Sequence, residues 1–361
     1  MKMSGSEKLS AKELEYYSRQ IVLKEIGYNG QLKLKEAKVC LIGVGGLGSP
    51  IATQLAAMGV GHLRLVDRDV VELSNLHRQH LYDVDSLGYP KVEVAARKLR
   101  RLNPNIEVEP LPLSVNASNA LEVIGDADVV VDGLDHMAPR YAVNRACVKL
   151  GTPYVFGSAI TTMGNASTIL PGETPCLECF YGNLDDSTLP TCAVVGVHPA
   201  IVNIVASIEV SETIKLILGE KPSLAGKLLF CDLRDSSFEK IIVARAEGCP
   251  VCGTHPQGEP MPLKEEFVEE VCSREGKRTF FITPKRILRL DMGALRSLLR
   301  EKGFDITARA ELGVTFKPAE GASVSIMSSG VMIAEGFREA EKVRGLYENL
   351  IIKDLGVAAG L

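Results

Sequence analysis

Four cysteines fall in two pairs, Cys176-x-x-Cys179 and Cys249-x-x-Cys252. Thiolates bind tetrahedral Zn2+, and two such knuckles present four sulfurs to one ion. The 69 residues between the pairs mean that a shared ion clips distant segments together, as a closed structural site does. Upstream, Gly43-Val44-Gly45-Gly46-Leu47-Gly48 has the spacing of a phosphate loop. Its glycines allow close backbone approach, and a helix N-terminus behind it favours an anion. Asp67 follows Gly48 by 19 residues, where an acid hydrogen-bonds a ribose hydroxyl. Alone, this pattern fits NAD, FAD or ATP.

Further charge surrounds that loop. Ser74-Asn75-Leu76-His77-Arg78-Gln79 packs polar and cationic groups together, and Lys91 opens a helix. Arginine offers a bidentate fork to phosphate and lysine a point charge, the pair a triphosphate needs. Asp132-Gly133-Leu134-Asp135 ends an apolar run on the side where open α/β sheets bind ligands. Asp135 suits Mg2+, a hard cation that prefers oxygen; its structural alternative is to cap the helix that follows. Cys192, in Thr191-Cys192-Ala193, is either a nucleophilic thiol or a plain buried one.

These residues must be held by alternating strands and helices. Ala37–Ile42, His62–Val66, Ile106–Pro110, Asp128–Asp132 and Pro153–Phe156 read as strands. Ser49–Met58, Lys91–Leu102 and Pro139–Leu150 read as helices. That alternation predicts an α/β fold, a Rossmann-like, mainly parallel sheet covered by helices. Lys8–Leu34 reads as helical. Cys40 lies in an apolar strand, as a reduced buried thiol would. Tyr181–Pro190 reads as a loop, and strands follow near Lys227–Cys231 and Lys240–Ala244. Pro199–Gly219 is the longest apolar stretch, but Asn203, Ser207, Glu209, Ser211, Glu212 and Lys215 interrupt it. A buried helix is expected there rather than a membrane span.

The length of 361 residues suits two domains of roughly 100–200 residues. The linker is placed at residues 254–262, within the Pro- and Gly-rich run Gly253–Pro262. It separates a nucleotide-binding domain with zinc knuckles (residues 8–253) from a small α+β domain (263–361). In the latter, Gly293–Lys302 and Glu339–Ile351 read as helices, and Ser323–Met327 with Val331–Glu335 as a hairpin. That domain carries none of the nucleotide motifs, which predicts that ATP binding survives without it. A net charge of −4 gives no global signature of nucleic-acid or membrane binding. Met1–Ser10 is polar and lacks an apolar signal core, so a reducing, cytoplasmic setting is expected.

The run Arg19-Gln20, GVGGLGS, LVDRD, LSNLHRQ, Pro90-Lys91-Val92, DGLD, the two CxxC pairs and TCAVVGV resembles the MoeB/ThiF adenylyltransferases, relatives of ubiquitin-activating enzymes. The resemblance covers roughly residues 8–253. It implies a homodimer that uses Mg-ATP to adenylate the C-terminal glycine of a small ubiquitin-like sulfur carrier (MoaD/ThiS-like) ending in Gly-Gly. By the same resemblance Asp67 binds ribose, and Asn75, Arg78, Gln79 and Lys91 contact phosphates. Asp135 holds Mg2+, Arg19 reaches into the neighbouring subunit's site, and Cys192 matches a mobile-loop cysteine. Two departures stand out. The family follows its metal aspartate with Asn, whereas this chain has His136. The C-terminal domain shows no rhodanese-type sulfur-transfer loop around Cys272, so a separate protein would donate the sulfur. This domain also faintly resembles one repeat of a TATA-binding-protein-type domain.

Two other readings start from the same motifs. A nicotinamide-dependent oxidoreductase shares the glycine loop and Asp67 but leaves Arg78, Lys91, Asp135 and the four thiolates without a purpose. A tRNA-modifying dehydratase of the same superfamily would use the basic run Arg97, Lys98, Arg100 and Arg101.

Overall fold

The computed structural model describes residues 8–186, 195–272 and 278–358. Residues 8–36 form three short helices, α1 (Ala11–Tyr16), α2 (Ser18–Ile21) and α3 (Gly27–Glu36), rather than one long one. Ser10 and Glu13 cap α1 reciprocally. Gly27, at φ +59°, turns the chain into α3.

Strands and helices then alternate: β1 (Lys38–Ile42), α4 (Gly48–Met58), β2 (His62–Val66), α5 (Lys91–Leu102), β3 (Glu107–Leu111), α6 (Ala120–Ile124), β4 (Val129–Asp132), α7 (Met137–Leu150) and β5 (Tyr154–Ile160), all but the short α6 expected from sequence. The five strands run parallel in the spatial order β3-β2-β1-β4-β5. The order reverses between β1 and β4, and a crevice at the strands' carboxyl ends forms at such a point.

Burial alternates along each strand, because successive side chains point to opposite faces. Val39, Leu41, Leu63, Leu65, Val129 and Val131 join one apolar core with α4 and α5. Cys40, Ile42, Val66 and Val130 join a second with α6 and α7. Cys40 is fully buried, and that burial pushes its thiol up to about 12, an inert core sulfur.

Three antiparallel strands extend the sheet: β6 (Met163–Ile169), β7 (Lys227–Asp232) and β8 (Ser237–Ile242). Between them run the short α8 (Leu177–Tyr181) and the long α9 (Pro199–Leu218). Ile201, Val205 and Ala206 of α9 are fully buried, so the apolar stretch is a core helix. Among the described residues no helix is long and apolar enough to cross a membrane. Glu209 is also fully buried, and neither of its carboxylate oxygens has a hydrogen-bond partner. Burial pushes its carboxyl well above the usual carboxylate range.

The chain beyond the linker has an apolar core of its own. Its antiparallel sheet has the order β11-β12-β13-β14-β10-β9, from β9 (Val268–Cys272), β10 (Arg278–Ile282), β11 (Asp305–Arg309), β12 (Gly313–Lys317), β13 (Ser323–Met327) and β14 (Met332–Glu335). The pairing of β13 with β14 is the hairpin expected from sequence. Phe280, Ile282, Val314, Phe316, Val324, Ile326 and Met332 pack with Leu295, Leu299, Val343 and Tyr347 of α10 (Met292–Glu301) and α11 (Ala340–Tyr347). The last helix is not uniform: it passes into a π-helical turn at Glu348–Asp354.

Alternate residues of this sheet face the other way. Met327, Val331 and Ile333 pack there with Phe281 and with Val70 of the first domain. The domain therefore rests on the first one rather than hanging free. The linker is also fixed, since Arg145 Nη1 donates to the Met261 carbonyl at 2.8 Å.

Candidate functional site

At the carboxyl end of β1 the chain turns through the glycine loop into α4. Gly43 has φ +88°. A Cβ on it would lie 2.4 Å from the Gly133 carbonyl oxygen, and one on Gly48 would lie 1.9 Å from the Gly43 oxygen. Both positions need glycine because the loops after β1 and β4 interlock there. Gly133 is thus a partner of the phosphate loop, and its place in Asp132-Gly133-Leu134-Asp135 hints at this only through its neighbours. Gly45 faces Gln79, and Gly46 faces Arg78 and Val202. Two buried polar atoms in this cradle, Ser49 Oγ in the first turn of α4 and Gln79 Oε1, have no hydrogen-bond partner. Such orphans are what a polar ligand would satisfy.

Asp67, at the end of β2, turns toward the loop. Its Oδ2 accepts from Val44 N at 2.7 Å and its Oδ1 from Asp69 N at 2.8 Å. Burial raises its carboxyl to about 6, against the pull of Lys91. Lys91 Nζ is paired with Asp69 Oδ2 at 2.9 Å, with its side chain only 6% exposed. Asp69 and Asp67 outweigh burial and hold the ammonium firmly charged. The sequence names Lys91 but not its partner Asp69, 22 residues away, because no local spacing links them.

The segment carrying Ser74, Asn75, Arg78 and Gln79 is short and tied at several points. Asn75 Oδ1 accepts from Glu72 N, Ser74 Oγ donates to Glu72, and Arg78 Nη1 donates to the Ser74 carbonyl. Tyr82 donates to the Val44 carbonyl at 2.7 Å, which pins this segment against the glycine loop.

Across the crevice, Asp135 is 76% exposed on its side chain and lies 2.7 Å from His136 Nδ1. The dense protein around Asp135 works against its charge, but His136 holds the carboxyl well below the usual range. In return Asp135 raises the imidazole to about 9, so His136 is a cation at neutral pH. Asp135 is not the cap of α7. That role belongs to Asp186, which accepts from Met137 N at 2.7 Å and Ala138 N at 2.9 Å.

Beneath the crevice lies a buried pair that local sequence patterns do not reveal. Arg140 Nε donates to Asp132 Oδ2 at 3.0 Å, and its Nη2 donates to the carbonyls of Leu134 and Gly157. The side chains of Arg140 and Asp132 are 6% and 0% exposed. Arg140→Ala would strand an uncompensated carboxylate in the core. The expected cost is about 3–5 kcal/mol, read as a lower midpoint in urea unfolding.

The structure gathers Gly43, Gly45, Gly46, Gly48, Asp67, Ser74, Asn75, Arg78, Gln79 and Lys91 around the glycine loop, and brings Asp135 and His136 to the end of the adjoining β4. Arg19 lies elsewhere. It is exposed on α2, whose next residue Gln20 donates to the Met58 carbonyl. That is the far end of α4, about 15 Å from its start at 1.5 Å per residue. Cys192 lies outside the described residues.

The four knuckle cysteines form a separate cluster. Their sulfurs all lie within 4.8 Å of one another, with Cys176 to Cys249 at 3.7 Å and Cys179 to Cys252 at 3.5 Å. Four sulfurs at 2.3 Å from one Zn2+ would be about 3.8 Å apart in a tetrahedron, so the set fits the ion. Glu178, next to Cys176, is held by Arg145 at 2.8 Å, and Asn144 Oδ1 accepts from Leu177 N. A Cβ on Gly253 would strike the carbonyls of Glu247 and Cys249, so the second knuckle needs that glycine.

The ThiF family model matches residues 17–251. This chain belongs to the ThiF family. It is 42% identical over 246 residues to a SAMP-activating enzyme E1 of Haloferax volcanii, covering 68% of this chain and 91% of that protein. It is 41% identical over 261 residues to a sulfur carrier protein adenylyltransferase of Thermus thermophilus, covering 71% and 96%. With a sulfur carrier protein ThiS adenylyltransferase of Bacillus subtilis it shares 32% identity over 338 residues, 93% of this chain and 98% of that one. That last match is longer than the ThiF segment and takes in residues beyond it. Among solved structures, E. coli MccB superposes with a TM-score of 0.60 at 29% identity, over 66% of this chain and 76% of MccB. The ThiF assignment agrees with the resemblance read from the motifs and with the sheet order at the crevice.

Proposed function

We propose that this chain uses Mg-ATP to adenylate the C-terminal glycine of a small ubiquitin-like sulfur-carrier protein. The observation that carries the reading is the convergence, in a ThiF-family chain, of the glycine loop, Asp67, Arg78 and Asp135 on one crevice at the carboxyl ends of β1, β2 and β4. The names of the relatives favour this activity over the tRNA-modifying and oxidoreductase readings.

The carrier's terminal carboxylate is already ionised near neutral pH, so the enzyme needs no strong base. One carboxylate oxygen attacks the α-phosphorus of ATP. The new bond joins that oxygen to phosphorus, and the bond between the α-phosphorus and the bridging oxygen breaks. The products are the acyl-adenylate and pyrophosphate. Catalysis then rests on positioning and charge. The amides of the glycine loop and the N-terminus of α4 receive phosphate oxygens, Asp67 holds the ribose, and Asn75, Arg78, Gln79 and Lys91 stabilise the phosphates. Asp135 would hold Mg2+, a hard cation that would offset the negative charge of the phosphates. His136, 2.7 Å from Asp135, stands where the family has Asn.

The four cysteines would hold one structural Zn2+. A second copy of this chain is the proposed partner for the edge strand β8, where Phe238 and Ile241 are each 52% exposed and Ile242 is 81% exposed. Arg19, remote from its own crevice, would serve the neighbouring subunit. Sulfur would come from a separate donor. A setting in the cytoplasm fits the free thiols of Cys40, Cys147, Cys176, Cys179, Cys231, Cys249 and Cys252.

Adenylation precedes any thiol attack on the carrier. A Cys192→Ser chain is therefore expected to form the acyl-adenylate at the wild-type rate and to fail only at a later thioester or persulfide step. Single-turnover formation of the adenylate measures this, and a serine variant unable to make it would reverse the order. The activity itself is tested by exchange of labelled pyrophosphate into ATP, with and without a carrier ending in Gly-Gly. Exchange that needs the carrier supports the reading, and its absence with every such carrier overturns it.

A further inference from the structure

One side chain next to the ribose aspartate is held by the other domain. Arg68 follows Asp67 at the end of β2, and its Nη1 donates to Glu269 Oε2 on β9 at 2.7 Å. The same guanidinium covers the ring of Phe281 on β10, 3.9 Å from its centroid. Glu269 and Phe281 are register partners across the β9–β10 pair, so they form one cradle, with an ion pair on one side and an aromatic face on the other. Arg68 also belongs to the charge field of the crevice. Burial works against its charge, while Glu269, Asp69 and Asp135 sustain it.

The contacts around this cradle grip the two segments that carry the nucleotide residues. On the first, Val70 packs against Met327, Val331 and Ile333. On the second, Thr315 donates to the Gly88 carbonyl at 2.6 Å, and Glu93 accepts from the amides of Glu311 and Leu312 at 3.0 and 2.7 Å. The C-terminal domain therefore holds Arg68 and Val70 within residues 67–70, and Gly88 and Glu93 within residues 88–93. The clamp bears on Asp67 through one short turn, because the amide of Asp69 donates to Asp67 Oδ1 and Arg68 is the residue between them.

We infer that the C-terminal domain is a fixed wall of the nucleotide site, and that Arg68, seated on Glu269 and Phe281, is a positioning residue that aims the Asp67 carboxylate at the ribose of ATP. This rests on the ATP-dependent reading above and extends it to a domain that supplies no nucleotide motif. The turn at residues 67–69 has to hold one shape for Asp67 to reach the ribose. A free arginine there would leave it able to relax.

The test uses the full-length chain. Mg-ATP affinity is measured by calorimetry, and KM for ATP and kcat by carrier-dependent pyrophosphate exchange, for wild type, Arg68→Ala, Phe281→Ala and Phe281→Tyr. Arg68→Ala and Phe281→Ala are expected to raise Kd and KM for ATP roughly tenfold, the loss of one charge-assisted contact. Their kcat should stay within about twofold, because ground-state holding alone has been lost. Phe281→Tyr keeps the aromatic face and should keep wild-type affinity. A thermal melt of each variant separates a local effect from unfolding, and Arg68→Ala with Phe281→Tyr decides the matter should Phe281→Ala not fold. Wild-type ATP affinity in Arg68→Ala, or a fall in kcat with KM unchanged, overturns the inference. A wild-type enzyme without any exchange would instead sink the activity on which it rests.

Discussion

Arg78→Ala and Asp135→Ala should each lower carrier-dependent pyrophosphate exchange by roughly 10²–10³-fold, the usual loss when one preorganised charge contact to a transition state is removed. The reason is local. Arg78 stands beside Gly46 of the glycine loop, where a guanidinium meets phosphate oxygens, and Asp135 faces the crevice from the end of β4 with most of its side chain open to solvent. Neither belongs to an apolar core. Arg78 is hydrogen-bonded to the Ser74 carbonyl and Asp135 to His136 Nδ1, so truncation should leave the fold and the melting temperature close to wild type. The measurement is exchange rate beside thermal melting. Near-wild-type exchange in both variants would remove the assignment of the crevice.

The second large effect concerns the metal. Protein purified without chelator should carry one Zn2+ per chain on Cys176, Cys179, Cys249 and Cys252. Stripping it, or changing Cys249 to Ser, should lower the melting temperature on the order of 10 °C. Free zinc at 1,000 times its dissociation constant contributes about 4 kcal/mol, and each kcal/mol moves a domain of this size by roughly 2–4 °C. The cluster is buried among Tyr141, Phe156 and Leu177 on one face of the sheet, at a distance in sequence from the glycine loop, so stability rather than chemistry should fall first. Elemental analysis without zinc would contradict this.

Much of the first domain is legible because its signals are local. A glycine loop between an apolar strand and a helix, an acid at the end of the next strand, and helix stops such as Asn103-Pro104 each specify geometry within a few residues. Lys91–Leu102 is a helix to the residue. What escapes is non-local or weakly patterned. Strand β6, Met-Gly-Asn-Ala-Ser-Thr-Ile, is poor in the branched and aromatic residues that mark strands, and its place is set by pairing with β5 and β7. The pairs Asp69–Lys91 and Asp132–Arg140 join residues that only the folded sheet brings together. In the C-terminal sheet, Thr315 and Ser325 face each other at 2.7 Å in a buried interface. Polar residues there read as a solvent face, and this hides the docking of one domain on the other. The departure at His136 is visible in sequence, but its consequence, a cation held by Asp135, needs the 2.7 Å contact.

The central claim is that this chain joins AMP to a carrier's C-terminal carboxylate, and intact mass spectrometry of the carrier tests it most directly. Enzyme, Mg-ATP and pyrophosphatase are incubated with a ubiquitin-like carrier ending in Gly-Gly and with the same carrier lacking its last glycine. The account predicts a carrier heavier by one adenylyl group in the first reaction alone, converted by added hydroxylamine to the carrier hydroxamate as AMP leaves the mixed anhydride. A carrier that stays at its original mass while the enzyme consumes ATP, or an adenylyl group found equally on the shortened carrier, would contradict it.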